Sequence, residues 1–102
     1  AGETFLVAFQ GNAVVGCGAL VKEEGLAGYG RIVRMSVNKA HRRQRIGQRI
    51  LQELEETAVQ RQFHKLVLET TETWQEVVTF YLANGYRIVA HHAGDTHFEK
   101  EL

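Results

Sequence analysis

Met35-Ser36-Val37-Asn38-Lys39-Ala40-His41-Arg42-Arg43-Gln44-Arg45-Ile46-Gly47 is the stretch on which the fold turns. It reads as the end of a strand, a polar loop and the first turn of a helix. Upstream, Tyr29 to Val37 carries Ile32, Val33, Met35 and Val37 as the apolar members of a strand. Asn38 to Arg45 has no periodicity and reads as a loop. From Ile46 the spacing becomes helical. Ile46, Ile50, Leu54 and Ala58 fall four apart with Leu51 beside them, while Gln48, Arg49, Gln52, Glu53, Glu55 and Glu56 take the other side.

The charges in this stretch run against the helix. Between Gly25 and Gln52 there is no acidic residue, yet Arg31, Arg34, Lys39, Arg42, Arg43, Arg45 and Arg49, seven of the twelve basic residues, lie there. A helix N-terminus already presents partial positive charge and unpaired amides, so each cation crowding it costs about 0.3 to 1 kcal/mol when nothing anionic is near. A phosphate or pyrophosphate on the amides of residues 43–47 would restore the balance. Charge alone fits a solvated basic face equally well. No Gly-Lys-Ser/Thr ends the loop, as a nucleoside triphosphate loop requires, and no G-x-G-x-x-G occurs.

Working outward, Thr4 to Gln10 and Ala13 to Lys22 read as two antiparallel strands joined by Gly11-Asn12. Gly16 and Gly18 weaken the second strand and mark a close approach of another backbone or a ligand. His64 to Thr70 reads as a fourth strand, which the intervening helix makes a parallel neighbour of the third. Thr73 and Glu76 form a capping box for a second helix with Trp74, Val77, Val78, Tyr81 and Leu82 on its apolar side, ended by Asn84-Gly85. Tyr86 to Ala90 and Thr96 to Lys100 read as closing strands around a turn with Gly94-Asp95.

Composition excludes several classes. The 102 residues suit one domain over residues 1–102, with net charge +0 and 44% hydrophobic content. No whole-molecule field draws it to nucleic acid or an acidic membrane. No apolar run reaches the roughly 18 residues of a spanning helix. The single Cys17 rules out an internal disulfide and fits a reducing compartment, so a cytoplasmic location is the default expectation. His91, His92 and His97 read as surface or turn residues rather than metal ligands, because adjacent strand residues point to opposite faces.

The Met35 to Gly47 stretch, followed by Leu66-Val67-Leu68-Glu69-Thr70 and then by Phe80-Tyr81-Leu82-Ala83-Asn84-Gly85-Tyr86, resembles the GNAT superfamily of acyl-CoA-dependent N-acyltransferases. The resemblance implies an α/β fold: a mixed sheet of about six strands with an antiparallel N-terminal hairpin, parallel third and fourth strands and two helices. It implies that Arg42, Arg43, Gln44, Arg45, Ile46, Gly47 and Gln48 hold the coenzyme A pyrophosphate through their amides. Met35, Ser36 and Val37 would pair with the pantetheine arm in a slot opened by splaying of the third and fourth strands, and polarise the thioester carbonyl. Tyr81 matches a tyrosine that protonates the leaving thiolate, with a core aromatic as the plain alternative.

Departures are informative. Arg45 stands where the family has its first loop glycine, and Lys39 where it has proline. The third strand offers Arg31, Arg34 and Ser36 rather than a glutamate base; Glu69 is the nearest carboxylate for that role, and it equally fits a structural one. Thr71 and Thr73 stand near a common asparagine. The chain starts at what matches the family's second strand, without its usual first strand and first two helices, leaving an open edge at Thr4 to Gln10 that favours a homodimer.

The expectation is therefore an acetyl-CoA-dependent N-acetyltransferase acting on a primary amine by direct attack in a ternary complex, with no metal. A coenzyme-A-binding module with little or no catalysis is the first alternative. A small nucleic-acid-binding domain is the second, disfavoured by neutral charge and by the lack of aromatics among the arginines.

Overall fold

The computed structural model describes residues 3–38, 40, 45–71 and 75–102. The elements are β1 (Thr4–Gln10), β2 (Ala13–Lys22), β3 (Tyr29–Val37), α1 (Ile46–Gln60), β4 (Lys65–Thr71), α2 (Gln75–Ala83), β5 (Arg87–His92) and β6 (Asp95–Glu101). They build one six-stranded sheet in the order β1-β2-β3-β4-β6-β5. β3 and β4 are parallel, and every other neighbouring pair is antiparallel.

Alternation along the strands divides the sheet into two unlike faces. One is buried. There Ile50, Leu51, Leu54 and Ala58 of α1 meet Leu20, Ile32, Leu66, Leu68 and Phe98 of the strands in a single cluster that also takes in Tyr81 and Tyr86. Leu6 and Ala8 of β1 pack against this cluster, so Phe5 and Val7, which alternate with them, look out from the opposite face, where both are exposed. Toward the β5 edge that outer face carries ion pairs instead. Glu99 pairs with Arg87 and, at 3.3 Å, with Lys65, and the Arg87 hydrogen bond holds the Glu99 carboxyl below the usual range.

Glycine sets how closely α1 lies on β2. A Cβ at Gly18 would stand 2.5 Å from Met35 Sδ and 2.9 Å from Ile50 Cγ2, and one at Gly16 would stand 3.1 Å from Ile46 and Ile50. At Gly16 the Ser36 backbone carbonyl also stands 3.2 Å from such a Cβ, the close backbone approach expected there, whereas at Gly18 the near neighbours are side chains of β3 and α1. At the far end of α1, the buried Tyr86 hydroxyl donates to Glu55 Oε2 at 2.7 Å, and Lys100 Nζ reaches the same oxygen at 3.1 Å and the Asn84 carbonyl at 2.9 Å. This network ties α1 to the turn after α2 and to β6.

Several boundaries move. β4 begins at Lys65 rather than His64 and runs to Thr71, and β6 extends to Asp95 and Glu101. Tyr86 precedes β5 as a core residue, because its ring packs edge-on to Tyr81 while its hydroxyl is held by Glu55. Within α2 only Tyr81 is fully buried, and Leu82, expected on the apolar side, is exposed. Phe80 takes its place against the core. Thr73 of the expected capping box and Trp74 lie outside the described residues.

Candidate active site

β3 and β4 pair only at Tyr29↔Lys65, Gly30↔Leu66 and Arg31↔Val67, and beyond these they diverge. The cause lies in β3. Between Val33 and Ser36 it takes three steps while β2 takes two from Ala19 to Cys17, so an extra residue bulges out. Arg34 sits at this point with φ 58, a left-handed backbone that costs a side-chain-bearing residue about 1 kcal/mol or more. Its carbonyl accepts a hydrogen bond from Cys17 Sγ at 3.3 Å. Nothing in the sequence signals this bulge, since neither neighbour is a glycine.

The divergence opens a cleft of 1390 Å³ running from the start of α1 to α2. Met35, Ser36 and Val37 line one wall, Leu68, Glu69, Thr70 and Thr71 the other, and Arg45, Gly47, Gln48, Phe80 and Tyr81 close its ends. Of the residues expected to bind coenzyme or act in catalysis, Met35, Ser36, Val37, Arg45, Gly47, Gln48, Glu69 and Tyr81 are thus brought to one space. The Ile46 side chain is not among them: it packs against the core, beside Gly16. Arg42, Arg43 and Gln44, with Lys39, lie outside the described residues.

The start of α1 has no side-chain cap and no acidic residue in its first turn. Arg49 N is bonded to Arg45 O at 3.1 Å, and the amides of Ile46, Gly47 and Gln48 just ahead of it have no hydrogen-bond partner among the described residues. Gly47 lets this end sit close to its neighbours, since a Cβ there would lie 3.3 Å from Val37 Cγ2 and 3.5 Å from Phe80 Cζ. Arg45, at the N-cap, has φ 60 and ψ 21. Its position is therefore one where glycine is at ease, and arginine occupies it under strain. Arg45→Gly is expected to raise the unfolding free energy by about 0.5 kcal/mol, the relief of strain being partly offset by the added freedom of the unfolded chain. Urea titration of both proteins checks this, and a lower midpoint in the variant would contradict it.

Tyr81 is 4% exposed, with its ring edge-on to Phe80 at 5.1 Å and to Tyr86 at 5.6 Å. Burial pushes its hydroxyl up to about 12. It therefore holds its proton throughout the neutral range. Glu69 is a rim residue, with its side chain 47% exposed between Arg31 Nη1 at 3.8 Å and His97 Nδ1 at 3.5 Å. Arg31 is engaged more closely by Glu23, and that hydrogen bond holds the Glu23 carboxyl below its usual range. The cleft is polarised: Arg34 and Arg45 border it on the β3 and α1 side, and Glu69, Glu76 and Asp95 on the β4, α2 and β6 side.

Comparison with known proteins agrees with this geometry. Residues 1–86 match the model of the Acetyltransferase (GNAT) family. An "IAA acetyltransferase" of Azospirillum brasilense is 37% identical over 83 residues, 80% of this chain and 53% of that protein. The chain thus spans about half the length of that curated relative. Among solved structures, the PaiA N-acetyltransferase of Thermoplasma acidophilum in complex with coenzyme A superposes with a TM-score of 0.91 at 21% identity, covering 99% of this chain and 62% of that one. A GNAT family acetyltransferase of Elizabethkingia anophelis with acetyl-CoA bound gives 0.83 at 19% identity, covering 99% and 77%. With a sheet that splays after three parallel pairs and a family match across most of its length, the chain belongs to the GNAT acetyltransferase family.

Proposed function

We propose that this chain transfers an acetyl group from acetyl-CoA to a primary amine by direct attack within a ternary complex. The observation that carries the reading is the continuous cleft joining the uncapped start of α1 to Tyr81 between the diverging β3 and β4. The amides at the start of α1 suit the coenzyme's pyrophosphate, with Arg45, Gly47 and Gln48 at the site and Arg42, Arg43 and Gln44 just before it in the chain. The β3 edge at Met35 and Ser36, beyond the last pair with β4, suits the amide-bearing pantetheine arm, which would add to it as a strand does. A β3 amide would polarise the thioester carbonyl.

The amine nitrogen attacks the thioester carbon, the carbon–sulfur bond breaks, and the electron pair leaves on sulfur. Tyr81 donates its hydrogen bond to the departing thiolate, whose own proton affinity rises in the same apolar surroundings. The attacking nitrogen's surplus proton passes to a base, for which Glu69 is the carboxylate at the rim. The acidic side of the cleft favours the approach of a cationic amine, which releases its ammonium proton to solvent before its neutral nitrogen attacks. Holding both reactants in one slot supplies much of the rate.

A coenzyme-binding module without turnover is the second reading, favoured by the setting of Glu69, the carboxylate offered as base, which is 47% exposed and lies between Arg31 and His97. Two measurements separate the possibilities. Acetyl-CoA at a hundredfold excess over its dissociation constant is expected to add about 2.7 kcal/mol to stability, seen as a higher melting temperature. Free-thiol release on addition of amines then distinguishes enzyme from binder. No thermal shift would overturn both readings, and a shift without release from any amine would leave the binder.

A further inference from the structure

Thr70 Oγ1 is buried and has no hydrogen-bond partner among the described residues. Its location gives that orphan a meaning. Val67 is the last β4 residue paired to β3, so Thr70 lies where the strand edge has opened, and it lines the cleft. Strand alternation sets it on the face of Leu66 and Leu68, the face against which Tyr81 packs. The obvious partner is already engaged: Thr96, its cross-strand neighbour at 2% exposure, shares its hydroxyl with His91 Nδ1 at 3.3 Å.

A buried hydroxyl left unpaired weakens the folded state. Valine has nearly the same shape and suits a half-buried strand position without that penalty. The hydroxyl is therefore useful only when something polar fills the cleft beside it. We propose that Thr70 is a donor-binding residue, its hydroxyl hydrogen-bonding the amide-bearing arm of the acyl thioester next to the sulfur. This rests on the reading of the cleft given above. The arm is favoured over the acceptor amine because Thr70 points to the Tyr81 face, whereas Glu69, the adjacent acidic residue, points to the other. A neutral hydroxyl also matches a neutral amide better than it matches an ammonium ion.

The test compares Thr70→Val and Thr70→Ser with the unaltered chain, using thermal unfolding without ligand and calorimetric titration with coenzyme A. Thr70→Val is expected to melt at the same temperature or higher, and to bind coenzyme A about fivefold to tenfold more weakly. Thr70→Ser is expected to bind like the unaltered chain. Unchanged binding in Thr70→Val would overturn the proposal, as would a lower melting temperature or failure to fold, since either would show that the hydroxyl serves the fold. If the unaltered chain itself does not bind coenzyme A, the functional reading falls and this inference falls with it. If the unaltered chain binds and Thr70→Val binds equally, only the role of Thr70 is lost.

Discussion

Tyr81→Phe is expected to lower kcat by about a hundredfold or more while leaving the dissociation constant of coenzyme A within about twofold. The substitution removes one oxygen and keeps the ring, so the contacts with Phe80, Tyr86 and Phe98 persist and the core stays filled. The hydroxyl has no hydrogen-bond partner among the described residues, and no internal bond is broken by its loss. What disappears is the donor available to a developing thiolate at that end of the cleft. Because burial holds this hydroxyl up to about 12, the activity of the unaltered chain should show no alkaline limb from Tyr81 below about pH 11. Steady-state kinetics with saturating acetyl-CoA, beside a calorimetric titration, read the two quantities separately. Equal loss of turnover and coenzyme affinity would mean that the phenol helps to hold the coenzyme and does not act on the leaving group.

Alkaline pH should destabilise the fold steeply, chiefly through two buried rings. Tyr81 is raised by desolvation to about 12, and Tyr86 is raised further, first by desolvation and then by its hydrogen bond to Glu55. Unfolded tyrosines ionise near pH 10, whereas these two stay protonated in the folded state. The unfolded chain therefore binds fewer protons than the folded one above pH 10, and stability falls as pH rises. Their contribution is fully present below about pH 10 and is lost progressively as pH climbs through the folded value. The two together should remove about 2 kcal/mol between pH 10 and pH 11, a large part of the 5 to 15 kcal/mol typical of a small domain. Urea unfolding at pH 8, 10 and 11 measures this, and Tyr81→Phe should lose about half of the drop. A midpoint that does not move between pH 8 and pH 11 would show that these rings are open to water in the folded chain.

Much of the architecture was legible because its signals are local. The spacing of Ile46, Ile50, Leu54 and Ala58 announced α1, Gly11-Asn12 announced the first hairpin, and a helix between β3 and β4 made them parallel. The left-handed position of Arg45 has no signal in the residues around it, apart from the resemblance that sets a loop glycine there. Leu82 was misread because a helical wheel marks an apolar stripe without saying which part of it meets the sheet. Phe80 was the residue turned inward.

The order of residues by itself determined the elements, their sequence, the parallel crossover and the excess of cations ahead of α1, since each depends on neighbours a few positions apart. Tertiary structure alone decided the rest. The bulge at Arg34, the parting of β3 from β4 after three pairs, the burial that raises Tyr81 and the stranded hydroxyl of Thr70 arise from contacts between residues far apart in the chain. Such contacts fix where water is excluded and where a strand edge is left unpaired. No periodicity encodes either one, so the cleft exists only once the sheet has closed around it.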